Sequence, residues 1–145
     1  MTFCKPSRRH VLQGAAALTM AGVLPARVAF AKDIVVGFIY VGSRDDYGYN
    51  QAHAVGATAL KKLAGIKVVE EEKVAETDAV EKTMESMINL DGASLLFPTS
   101  FGYFNPHVLK LAKKHPKIRF EHAGGLWTEK DPKNVGSYFG YIAEA

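Results

Sequence analysis

The sequence predicts an α/β protein built on a doubly wound parallel sheet, and three observations carry that expectation. Residues 34–41 read IVVGFIYV, the near-continuous apolar run of a strand covered by helices on both faces. Beyond it, short apolar runs alternate with segments of helical periodicity, and turn residues stand between them. Joined by right-handed crossovers, such alternation gives parallel strands with a helical layer on either side.

The first thirty-one residues stand outside this pattern. Ser7-Arg8-Arg9-His10-Val11-Leu12-Gln13 precedes eleven weakly apolar residues, 14–24, and Ala29-Phe30-Ala31 follows them. This is the layout of an export signal peptide. As a helix at 1.5 Å per residue the apolar run reaches about 16 Å, roughly half of a hydrocarbon core, so it predicts no lasting membrane span. The paired arginines and Arg27 resemble a twin-arginine signal, with a general secretory signal as the alternative. Either route leads to the bacterial periplasm, with cleavage expected after Ala31. Cys4 lies on the wrong side of the apolar run for a lipoprotein.

The remaining elements follow in order. Residues 42–50 form a loop, and Ala52, Val55, Ala59, Leu60 and Leu63 then recur at helical spacing up to Gly65. Residues 67–74 predict a more polar second strand, with Glu70-Glu71-Glu72 as the exposed end of a sheet edge. Thr77 or Asp78 caps a second helix, with Glu81 in its first turn, Val80, Met84, Met87 and Ile88 on one face, and Gly92 closing it. Residues 93–97 are a short buried strand. Asn105 with Pro106 starts a third helix, which carries Lys113, Lys114 and His115 at its negative end before Pro116. A fourth strand over 118–123, a loop over 124–134 and a fifth strand over 135–141 complete the pattern. Residues 142–145 read as the first turn of a further helix, so the chain reads as unfinished.

Charge and composition exclude several function classes. The 145 residues carry 18 basic and 15 acidic side chains, but Lys5, Arg8, Arg9 and Arg27 all precede Lys32, leaving 14 basic against 15 acidic in the 114 residues expected after cleavage. A nucleic-acid binder driven by counterion release needs a concentrated basic face, which is missing. The single cysteine, Cys4, is lost with the leader, so no disulfide, thiol nucleophile or cysteine-based zinc site is expected.

In a parallel sheet the loops that follow strands share one edge, where ligands bind. Loops 42–50, 98–105 and 124–133 hold Tyr47, Tyr49, Phe101, Tyr103, Phe104 and Trp127, which is 6 of the 13 aromatics after the leader in 27 of 114 residues. Aromatics prefer the core, so this bias points to a pocket that stacks a flat unsaturated ligand; the alternative is that these rings close the sheet end or a subunit contact. Asp45, Asp46, Asn50, Thr99 and Ser100 add partners for ring nitrogens, exocyclic amines and carbonyls. Phosphate is disfavoured, because no glycine-rich phosphate loop follows the first strand and its acids would repel an anion. A receiver-like acidic site would need another acid where Pro98-Thr99-Ser100 stands. Ser100 lacks a nucleophile elbow, and His53, His107, His115 and His122 show no metal-ligand spacing, so surface or helix-end roles are expected for them. No catalytic residue, metal or cofactor is expected.

A family resemblance rests on particular residues. Val36-Gly37-Phe38-Ile39-Tyr40-Val41-Gly42, then Asp46-Tyr47-Gly48-Tyr49-Asn50-Gln51-Ala52-His53 and Gly56, resembles the amino-terminal half of a BMP-family (basic membrane protein, PnrA-like) substrate-binding protein of an ABC transporter. The likeness runs over residues 33–145, including Leu96-Phe97-Pro98-Thr99-Ser100-Phe101-Gly102 and Gly136-Ser137-Tyr138-Phe139-Gly140-Tyr141. It implies the first lobe of a periplasmic-binding-protein fold of the ribose-binding type, truncated before its second lobe, and a purine base or nucleoside as ligand. It also implies that Asp46, Tyr49, Asn50, Ser100 and Phe101 line the cleft; Trp127 is added by its loop position. The resulting expectation is a periplasmic receptor, not an enzyme and not an integral membrane protein, that delivers a purine-like solute to an inner-membrane permease. The alternative is a periplasmic sensory module signalling through a membrane partner.

Overall fold

The computed structural model describes residues 33–139, and over them strand and helix alternate: β1 (Ile34–Ile39), α1 (Tyr49–Leu60), β2 (Ile66–Glu71), α2 (Asp78–Asn89), β3 (Leu95–Pro98), a short turn α3 (Phe101–Tyr103), α4 (Leu109–Lys114), β4 (Arg119–Ala123) and β5 (Val135–Tyr138). The strands form one sheet in the order β2-β1-β3-β4-β5, and every neighbouring pair is parallel. This is the doubly wound α/β architecture that the alternation predicts. The leader residues and the start of the further helix at 142–145 lie outside the described residues.

β1 shows why its sequence is apolar throughout. Val35 and Ile39 point into a core shared with Met84 and Met87 of α2 and Leu111 of α4, while Val36, Phe38 and Tyr40 point to the opposite face against Ala57 of α1. Side chains alternate across a strand, so a strand buried on both faces must be apolar at every position. Ile39, Leu96 and Phe120 are wholly buried, each contributing about 1.5–3 kcal/mol of transfer free energy. On the α1 face Phe38 and Phe97 stack at 4.7 Å, between neighbouring strands.

α2 follows its sequence closely. Thr77 is its N-cap, with Oγ1 accepting from the Ala79 amide at 3.3 Å, and Val80, Met84 and Met87 are buried while Glu81 and Glu85 face α4. α1 departs from the expected face. Ala52, Val55 and Ala59 lie exposed on it, as does Leu63 beyond it, and the side packed on the sheet is Ala54, Ala57 and Leu60. The small alanines that let the helix approach the strands carry a weak hydrophobic signal, so the bulkier residues on the solvent side mislead.

Two further expectations are corrected. β2 ends at Glu71 rather than at residue 74, because the chain turns at Lys73, whose φ is +59°, and Lys73 N donates to Gly42 O. Glu70 is not a solvated edge residue: its side chain is 7% exposed and paired with Arg44 and Lys61, and it accepts from the Tyr40 hydroxyl at 3.1 Å. Asn105 and Pro106 start the third helix as expected: Asn105 is extended (φ −122°, ψ 121°) and the helix runs from Pro106 through Val108 into α4, while a separate helical turn over Phe101–Tyr103, which the sequence did not announce, precedes the kink.

Candidate functional site

The chain crosses from β1 outward to β2 and then returns to place β3 on the other side of β1. A crevice opens at such a switch point, outside the carboxyl ends of β1 and β3. The two strand ends are tied together there: the Thr99 amide and hydroxyl both donate to the Ile39 carbonyl, at 3.1 and 2.9 Å. The β1–α1 loop and the segment after Thr99 therefore face one another across a fixed base.

The β1–α1 loop is organised by Asp46. Its Oδ1 accepts from the amides of Gly48 (2.9 Å) and Gln51 (3.0 Å), and its Oδ2 accepts from the Asn50 amide (3.1 Å) and side-chain Nδ2 (2.8 Å). These donors, the Gln51 amide foremost, hold the carboxyl down at about 2, so it remains ionised and satisfies the otherwise open N–H groups at the start of α1. Asp46 thus orients Asn50, which is buried and whose Oδ1 has no hydrogen-bond partner. Tyr49 begins α1, and its hydroxyl donates to the Thr99 carbonyl, bridging the two loops.

Around Tyr49 lies a cluster of rings. Tyr49 and Phe101, from opposite sides of the crevice, stand 6.2 Å apart with planes inclined at 31°. His53 meets the edge of Tyr49 at 4.7 Å, Tyr138 lies 6.1 Å from His53, and Phe97 lies 6.1 Å from Tyr138. Tyr49 remains 41% and Phe101 60% exposed. Burial raises the pKa of Tyr49, pushes that of Tyr138 to about 12 and lowers that of His53, so at neutral pH the three rings are uncharged. Gly124, at φ +73°, lies under Phe101, and a Cβ there would overlap the ring at Cε1.

Ser100 sits beside this cluster at 7% exposure. Its hydroxyl donates to Glu76 Oε1, its carbonyl accepts from His122 Nε2 at 2.7 Å, and the Gly102 amide donates to Glu76 Oε1 at 3.0 Å. Asp46, Tyr49, Asn50, Ser100 and Phe101 are therefore brought to one edge. Trp127 is on the loop after β4, 46% exposed, and among the described residues no ring contact joins it to Tyr49 or Phe101. An open groove of about 450 Å³ runs beside Phe101, bounded by Phe104, Gly124, Gly125, Leu126 and Asp131.

Glu76, His53 and His122 were not read as site residues from the sequence. His53 follows Tyr49 by one helical turn, a spacing that places both on one face. His122, expected at a surface, is wholly buried on β4, and His107, also buried, pairs with Glu81 at 2.8 Å. For Glu76 no sequence signal exists, since its partners are 24 and 26 residues away. Away from this edge, Asp78, Glu81 and His107 bring ligand atoms within 4.8 Å of one another, but Glu81 already pairs with His107 and, at 2.6 Å, with Lys110. Two hollows of about 540 and 550 Å³ along α2 are open surface grooves, the first lined by Asp78, Glu81, Glu85 and Lys110 and the second by Glu70, Glu71, Lys82 and Asp91.

Residues 33–145 match the family model of the PnrA-like ABC transporter substrate-binding proteins, Bmp. The chain belongs to this family. Bmp members are ABC transporter substrate-binding proteins. Over 123 residues, 83% of this chain, it is 37% identical to a purine-binding protein of Brucella abortus (strain 2308), and it spans 34% of that relative's length. Among solved structures, an ABC transporter solute-binding protein from Conexibacter woesei DSM 14684 superposes with a TM-score of 0.62 at 21% identity, over 73% of this chain and 35% of that one. One from Aeropyrum pernix K1 gives 0.62 at 23% identity, over 73% and 28%. These likenesses show that the chain shares the α/β fold of a part of those solute-binding proteins. No helix among the described residues is long and apolar enough to cross a membrane.

Proposed function

We propose that this Bmp lobe forms one wall of a cleft that binds a purine base or nucleoside, which the protein delivers to an ABC permease in the membrane. The observation that carries the reading is the pair Tyr49 and Phe101, two partly exposed uncharged rings 6.2 Å apart on opposite loops of the switch point. A flat heterocycle gains most from such rings by stacking, while a sugar presents no π-face. Asn50, held in place by Asp46 beside these rings, is the polar residue assigned to the edge of the heterocycle. Ser100 and Trp127 take flanking positions. The purine-binding relative from Brucella abortus supports the ligand class.

Export by the leader, by the twin-arginine route with cleavage after Ala31, would place this lobe in the periplasm, where a permease-linked receptor works. Calorimetric titration of a two-lobed form of the protein with adenine, adenosine, guanosine and ribose tests the ligand. Purines are expected to bind and ribose not to; ribose binding as tight as adenosine rejects the stacking cleft.

A further inference from the structure

We infer that Glu76 and His122 are the positioning residues of this site: they clamp the Ser100–Gly102 turn from two sides and so hold the Phe101 ring at the crevice. The inference rests on the reading that Phe101 stacks on the ligand, and it assigns a task to two residues that no ligand needs to touch.

Phe101 cannot place itself. Its ring is 60% exposed, and the helical turn that carries it is three residues long before the extended Asn105 interrupts it. So short a turn has little cooperative stability of its own, and its leading N–H groups need acceptors from elsewhere. Glu76, in the loop between β2 and α2, supplies one for the Gly102 amide. One carboxylate oxygen accepts from both the Ser100 hydroxyl and the Gly102 amide, and these hydrogen bonds, the Ser100 hydroxyl first, lower the Glu76 pKa and keep it charged. Hydrogen bonds to a carboxylate are the stronger kind. The fit is close: a Cβ on Gly102 would meet Glu76 Cδ at 2.5 Å, so this carboxylate occupies space that only a glycine leaves open.

His122 holds the same turn from the sheet side. It is wholly buried on β4, its ring lies 5.0 Å from Phe104, and burial lowers its pKa, so it is neutral. Because a carbonyl only accepts, the proton is on Nε2, which donates to Ser100 O at 2.7 Å, while Nδ1 has no partner. A phenylalanine would fill this apolar place without a stranded nitrogen. What the imidazole adds is a donor for the carbonyl of Ser100, a residue itself 7% exposed.

The experiment compares wild type, Glu76→Ala, Glu76→Gln and Gly102→Ala, reading the hydrogen exchange of the Gly102 amide by NMR without ligand and adenosine affinity by calorimetry. Glu76→Ala removes the acceptor, and Gly102→Ala pushes the carboxylate aside; each is expected to speed exchange of the backbone amide at position 102 and weaken adenosine by about tenfold or more. Glu76→Gln keeps an acceptor oxygen and is expected to restore both, which a loss of surface charge alone would not do. Unchanged Gly102 exchange in Glu76→Ala overturns the clamp whatever the ligand. Faster exchange with unchanged affinity overturns its role in positioning the site. If wild type binds no adenosine, the purine reading fails on its own, and the exchange comparison alone decides the clamp. His122→Phe, which keeps the packing and deletes the donor, is expected to shift the Ser100 and Phe101 resonances; their constancy counts against the second half of the inference.

Discussion

Gly124 and Gly92 offer a matched pair of perturbations that separates backbone strain from the placement of Phe101. Both residues are left-handed, at φ +73° and +74°, so alanine at either position costs about 1–2 kcal/mol of backbone strain. For a domain of this size that lowers Tm by roughly 4–10 °C. Their surroundings differ. A Cβ on Gly92 meets nothing within 4 Å, whereas one on Gly124 overlaps Phe101 Cε1. The Phe101 ring is mostly exposed and can swing away, so Gly124→Ala should lose little more stability than Gly92→Ala. What it loses is the ring's position. Stacking on an aromatic side chain contributes about 1–3 kcal/mol per base, so Gly124→Ala should weaken adenosine by about 5-fold to 150-fold while Gly92→Ala leaves it unchanged. Thermal denaturation and calorimetry on the two variants give both quantities. Equal affinities in the two variants would refute the reasoning, because the displaced ring would then not belong to the site.

Three other expectations follow from the same geometry and from the leader. Tyr49→Phe keeps the ring and deletes the hydroxyl that reaches the Thr99 carbonyl, so purine affinity should fall less than in Tyr49→Ala, which removes both; calorimetry that ranks them the other way argues against stacking. Glu85 is held at about 2 from a usual 4.5, chiefly by Lys114, with His115 and Asn89 adding bonds. A depressed folded-state pKa contributes stability that is complete above the unfolded value and lost as pH falls through about 2, so Glu85→Gln should flatten the stability curve between pH 4.5 and 2, read by urea denaturation at each pH. An equally steep acid limb in the variant would assign acid unfolding to other carboxylates. Replacing Arg8 and Arg9 by lysine should retain precursor in the cytoplasm, and normal export on fractionation would point to the general secretory route.

The order of the elements and the edge shared by the loops that follow the strands could be read from the chain alone, because both follow from local patterns. The eight apolar residues 34–41 could only be a doubly covered strand, Thr77 announced α2, and alternation of the two periodicities forced parallel strands whose following loops share an edge. That Tyr49, Asn50, Ser100 and Phe101 share this edge was legible for the same reason, since they lie in those loops. The buried side of α1 was misread, since close packing selects Ala54 and Ala57 by size and a periodicity count weighs bulk. The separate helical turn at Phe101–Tyr103 was hidden because the acceptor for its Gly102 amide comes from Glu76, far away in sequence. His122 and Glu70 escaped for the same physical reason: local sequence encodes backbone preference and hydrophobic period, whereas the burial of a polar group is decided by partners that only tertiary structure brings near, the Ser100 carbonyl in one case and Arg44, Lys61 and Tyr40 in the other.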